Sequence, residues 1–163
     1  MESVDGISVR LTAQSQFLIV KAHSHACAIP LSHVIEIMRP LRLETVSGMP
    51  RFVLGLSVIR GSPMPVIALE GMLSGKSGET QGRFVALRIE TRMLALAVKE
   101  VLGVAVIDRA ALMDMPTLLH AASTEAVELI GTLDSELLMV LRASRILSED
   151  MWPVPSGGKA AAQ

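Results

Sequence analysis

His23, His25 and Cys27 alternate along the chain, so a strand would turn all three to one face. That pattern suggests metal chemistry, with His33 or Glu36 as a fourth ligand, and makes a small metal-dependent enzyme one function class to weigh. No second cysteine pair accompanies Cys27, whereas zinc sites usually draw on ligands paired at short spacings. Cys27 reads more simply as a small core hydrophobe. Gly71-Met-Leu-Ser-Gly-Lys-Ser77 ends like a phosphate-binding loop, but three residues separate its glycines where that loop has four. Glu36, Glu44 and Glu70 are scattered, and Asp108, Asp114 and Asp134 fall near expected turns. No Ser-His-Asp order emerges. The expectation is a chain without catalytic residues, cofactor or metal.

Arg60 is the stronger candidate. It precedes Gly61-Ser-Pro63, between the apolar runs Phe52–Ile59 and Met64–Leu69, in a stretch nearly bare of acids. A guanidinium there offers five donors in a fixed fork to acidic side chains or carbonyls of a partner. The plainer reading is a solvated charge that keeps an edge strand soluble. Pro63 and Pro65 lack backbone donors, which predicts a sheet edge or an irregular turn. Val34, Ile35, Leu56 and Val58 supply aliphatic side chains for a docking groove, with ordinary core packing as the alternative.

The elements that must position these residues are short strands. Gln16–Ala22, Ala26–Pro30, His33–Met38, Ser57–Arg60 and Pro65–Leu69 are followed by Arg83–Glu90, Leu94–Val98 and Gly103–Asp108. Such spacing argues for small barrels over a βαβ layout. Pro50–Leu54 reads as one helical turn, Asp108–Met113 as a short helix capped by its aspartate, and Arg142–Asp150 as a closing helix. Gly75–Gly82 has linker composition, and 153–163 that of a disordered tail.

The chain also repeats itself. An offset of 67 (84 − 17) lays Phe17-Leu-Ile-Val20 on Phe84-Val-Ala-Leu87 and Ala28-Ile-Pro-Leu31 on Ala95-Leu-Ala-Val98. Val34-Ile35 and Ile37 fall on Val101-Leu102 and Val104 without a gap. Leu54-Gly55 finds a counterpart in Ile130-Gly131.

Composition bounds the rest. At 163 residues there is room for one domain or two lobes on a shared core. Half the residues are apolar but only 2% are aromatic, so the core must be aliphatic and methionine-filled. A net charge of −1 with mixed signs lacks the basic stripe that nucleic acid requires. One cysteine cannot form an internal disulfide, which points to a reducing compartment. The acidic, polar N-terminus is unlike a signal peptide, and Leu94–Ile107 is interrupted by Lys99-Glu100 and falls short of the ~20 residues a span needs. A soluble cytoplasmic protein is expected.

In order and spacing, these segments resemble the CheW-like domain family. The likeness rests on Ala28-Ile-Pro-Leu-Ser-His-Val34, Phe52-Val-Leu-Gly-Leu-Ser-Val-Ile-Arg-Gly61 and Pro65-Val-Ile-Ala-Leu69, and runs from Phe17 to Leu147. It implies an all-β fold of two SH3-like five-stranded barrels around a shared hydrophobic core, within one domain spanning 1–152. The lobes would lie near 17–75 and 83–147, with strand exchange between them allowed. It further implies a non-catalytic chemosensory adaptor in the bacterial cytoplasm, at membrane-proximal receptor arrays. Chemoreceptor tips would meet Arg60, Val58, Leu56, Gly61, Val34 and Ile35. The regulatory domain of a CheA-type histidine kinase would meet a barrel end at Val101, Leu102 and Gly103, and barrel ends could also self-associate. The sequence departs from the family pattern at Val58 (usually asparagine), Ala68 (usually aspartate), Arg142 and Ser144. A divergent scaffold that binds kinase or itself, without ordinary receptor coupling, is the alternative.

Overall fold

Phe17-Leu-Ile-Val20 is buried at every residue because each face of its strand meets a different core. Phe17 and Ile19 point into one small cluster with Ala26, Ala28, Leu138 and Val140. Leu18 and Val20 point into a larger central cluster with Cys27, Ile29, Val85, Leu87, Leu94 and Leu96. Phe84 and Ala86 face a third cluster with Met64, Val66, Ala95 and Ala97. A strand buried on both sides must be apolar throughout, which is why these runs do not alternate. Each small interior holds one phenylalanine against alanines, so two aromatic rings suffice.

The computed structural model describes residues 14–22, 25–74, 82–116 and 126–146. The first half runs β1 (Gln14–Lys21), β2 (Ala26–Pro30), a 3-10 turn (Leu31–His33), β3 (Val34–Met38), β4 (Val53–Ile59), β5 (Ser62–Ala68) and α1 (Leu69–Ser74). The second runs β6 (Arg83–Ile89), β7 (Arg92–Val98), β8 (Glu100–Asp108), a 3-10 turn (Arg109–Ala111), β9 (Met113–Asp114), β10 (Val127–Leu133), β11 (Glu136–Leu141) and α2 (Ala143–Ile146). The all-β expectation holds. The strands form a five-stranded sheet ordered β3-β6-β7-β5-β4 and a six-stranded sheet ordered β8-β1-β2-β11-β10-β9. The central cluster draws side chains from both.

The sheets do not coincide with the two halves of the sequence. β3 to β7 make one, while β1 and β2 join β8 to β11 in the other. Despite this the duplication is kept residue by residue. Phe17 pairs with Pro30 as Phe84 pairs with Ala97. Phe17 pairs with Ala105 as Phe84 pairs with Met38. Parallel pairs repeat as well: Val66 with Ala95, and Val140 with Ala28.

Three local expectations need correction. The counterpart of Leu54-Gly55 is Glu128-Leu129, since Gly55 opposes Val66 as Leu129 opposes Val140. The offset here is 74 (129 − 55), not 67, because the segments before these strands differ in length, while each strand carries the same bulge. Asp108 does cap, its carboxylate accepting from Ala110 N–H at 3.0 Å, but it opens only a 3-10 turn and Met113 is already in β9. Pro50 accepts from Val53 N–H at 2.9 Å to make the expected single turn, and β4 begins there, four residues before Ser57. Trp152, the tail at 153–163, residues 75–81 and residues 147–150 lie outside the described residues.

Candidate docking surface

The β4–β5 hairpin turns on Arg60 and Gly61 themselves, with φ of 51° and 80°. Ile59 and Ser62 flank them as the last pair. Two central residues with positive φ make the turn whose twist matches paired strands. The bend therefore comes before the Ser-Pro pair, and Pro63 and Pro65 lie inside β5. Their missing donors cost the ladder nothing. Leu56 gives its N–H and carbonyl outward to Glu44, both at 2.8 Å, so its pair with Pro65 is a non-hydrogen-bonded one. Val58 and Pro63 lie two residues along, in the same phase. On the other side of β5, pairing with β7 begins only at Val66.

Alternation along β4 buries Gly55, Ser57 and Ile59 and exposes Leu56 and Val58. Ser57 donates its hydroxyl to the carbonyl of Arg42 at 2.9 Å, which satisfies the one buried polar side chain among the described residues. Val58 is 66% exposed. It is outward surface and takes no part in the core.

Arg60 donates from Nε to the carboxylate of Glu36. These residues sit on β4–β5 and β3, at opposite margins of the five-stranded sheet. The ion pair thus spans the seam where the sheet curls on itself. It brings Arg60, Gly61, Val58 and Leu56 to one side of that seam and the β3 residues to the other. Val34 is half-buried against the central core. Ile35 is the extra residue of a bulge, skipped between the pairs of Val34 and Glu36, and is 39% exposed. Ile37 beside it is exposed too.

Val101, Leu102 and Gly103 lie on β8, at the margin of the other sheet, and are not brought near this hairpin by any strand pairing. They are the structural twins of Val34, Ile35 and Glu36. Val101 packs on the central core, and Leu102 is skipped between the pairs of Ile19 and Val20. It is 52% exposed, and Val104 and Val106 extend the apolar strip. Sequence reasoning missed Glu36 as the partner of Arg60 and missed Ile37, Val104 and Val106 as surface. Alternation from Val34 and from Val101 carried that signal, and burial keeps its phase through the bulge in each strand.

The metal reading loses its central ligand. Cys27 is fully buried, and burial, with the nearby charge of Glu70 adding to it, pushes its thiol up to about 12. A thiolate is not available near neutrality. No group of three His, Cys, Asp or Glu side chains converges among the described residues, and His23 lies outside them. Likewise Gly71 to Ser74 close α1, where a phosphate loop would need to open a helix.

Ala68 and Arg142, two of the departures, are twins. Ala68 N–H donates to Phe52 at 2.7 Å, and Arg142 N–H to Ala126 at 2.6 Å. Each latch is made by backbone alone. No helix among the described residues is long and apolar enough to cross a membrane.

Comparison with known proteins gives a family match and a structural one. The family model described as CheW-like domain matches residues 16–151. Among solved structures, the scaffolding protein TtCheW from Thermoanaerobacter tengcongensis superposes with a TM-score of 0.70 at 19% identity. The match covers 79% of this chain and 84% of that one. No curated protein matches the sequence significantly.

Proposed function

The chain belongs to the CheW-like domain family, and from that premise we propose that it is a non-catalytic adaptor coupling chemoreceptor cytoplasmic tips to a CheA-type histidine kinase. The observation that carries this reading is the seam at Arg60 and Glu36, set beside exposed Leu56, Val58, Ile35 and Ile37. An apolar surface with a fixed charge pair suits the apolar face of a helix with polar flanks. Receptor tips are assigned to this surface, through Arg60, Val58, Leu56, Gly61, Val34 and Ile35. The kinase regulatory domain is assigned to the β8 strip through Val101, Leu102 and Gly103. Duplication gives two similar apolar margins on one small body, which is what a protein joining two partners needs. Its place is the cytoplasm, beside membrane-anchored receptors.

Capture on two baits tests this. Purified protein should be retained by receptor cytoplasmic domains and by the kinase. Retention by neither overturns the proposal.

A second reading is favoured by Val58, which puts an apolar side chain where the family usually has asparagine. On that reading the protein is a divergent scaffold that keeps kinase or self-contacts and has lost ordinary receptor coupling. Retention by the kinase alone selects it.

A further inference from the structure

We infer that the open end of the six-stranded sheet is a binding site for a small molecule with an apolar body and a zwitterionic head, of which a free apolar α-amino acid is the simplest. The inference is independent of the adaptor reading. A cavity of about 480 Å³ lies there, within the size range of small-ligand pockets, roughly 300–1,000 Å³. Phe17, Ile107, Leu112, Leu129 and Val140 line its interior.

The twin lobe shows how the cavity arises. At the corresponding place in the five-stranded sheet, glycines let the backbone close in. A Cβ on Gly82 would stand 1.7 Å from the carbonyl oxygen of Lys99, and one on Gly55 2.3 Å from that of Glu44. The twins of Gly82 and Lys99 are Ser15 and Ser32, and the twin of Gly55 is Leu129; all three line the cavity. Side chains hold open in one lobe what glycines shut in the other. Leu54, which packs on the interior of the five-stranded lobe, is replaced by Glu128. An apolar plug has become a charge at the rim.

That charge indicates the ligand. Glu128 faces Arg109 with Oε1 and Nη2 3.9 Å apart, beyond hydrogen-bond distance. Each therefore keeps bonding capacity toward the mouth. A simple carboxylate ligand would gain Arg109 but be repelled by Glu128, and a simple amine the reverse. A zwitterion satisfies both, its carboxylate on Arg109 and its ammonium on Glu128, with an apolar side chain in the interior.

Calorimetric titration of the full chain with L-phenylalanine and L-leucine tests the site. One-to-one saturable binding is expected, with a dissociation constant of about 1 mM or tighter for a ligand of this size. Arg109→Met and Glu128→Gln should each weaken it about tenfold or more, and Ser32→Trp, which fills the mouth, should abolish it. Unchanged circular dichroism shows that the variants fold. Absence of saturation up to about 20 mM overturns the inference. Binding that survives the two charge variants, or that octanoate or octylamine matches, overturns it equally.

Discussion

Arg60 and Glu36 stand 24 residues apart in sequence and on opposite margins of one sheet, yet their side chains form an ion pair. At the twin positions of the other lobe no such pair forms. Gly103 occupies the place of Glu36, opposite Ile19 as Glu36 is opposite Ala86, and Asp134 that of Arg60, in a turn of the same form. The seam charge therefore distinguishes one lobe from the other.

Arg60→Ala is expected to weaken capture by receptor domains while moving the melting temperature little. The Arg60 side chain is 77% exposed, and exposed pairs contribute about 0–1 kcal/mol. Glu36→Ala should act alike, and exchanging the two charges should leave the melting curve close to that of the wild type. Capture unchanged in Arg60→Ala would leave the pair a seam device only.

Val58→Asn should change stability by no more than about 0.5 kcal/mol in urea, as surface substitutions do, because the side chain is exposed opposite Pro63. Its effect is expected in coupling: kinase activity in receptor-containing membranes should alter. A large loss of stability would show that Val58 is buried in solution.

Gly55→Ala should be severely destabilising, by about 3 kcal/mol or more. It adds a Cβ against the Glu44 carbonyl at a φ of 145°, and the bridge between Glu44 and Leu56 must open. Gly61→Ala, at a φ of 80° with open space around it, should cost only about 1–2 kcal/mol of backbone strain. Paired urea denaturation curves check the order; equal costs would contradict the close approach.

Cys27 should resist alkylation at pH 8 in the native protein and react once urea unfolds it. Its folded pKa, about 12, lies above the unfolded value near 9.0. The unfolded state thus releases the proton first, and the contribution is complete below pH 9 and lost as pH rises toward 12. Wild type should lose stability relative to Cys27→Ala over that window, measured by urea midpoints at successive pH values. Parallel curves would show a thiol that titrates alike in both states.

The local features were legible because they are local. Apolar runs marked the strands, and the 67-residue offset holds from Phe17 through Val34 and Ile37 to their twins, which pair at equivalent positions. The offset failed at Leu54-Gly55, where segments of unequal length raise it to 74 (129 − 55) and set the true twins at Glu128-Leu129. Turn placement slipped by one residue because Gly61-Ser-Pro63 also has turn chemistry, and only pairing of Ile59 with Ser62 decides.

By itself the sequence determined an all-β chain of duplicated strands with a thinly aromatic, aliphatic core, and a hairpin carrying Arg60. Tertiary structure alone decided which strands share a sheet. Twin strands present nearly the same apolar pattern, so β3 suits either β1 or β6 by local criteria, and only long-range packing selects β6. The same holds for the partner of Arg60 and for the cavity beside Arg109 and Glu128. Both arise where distant segments meet, and their geometry depends on how closely two backbones approach, which side-chain pattern along one segment does not encode.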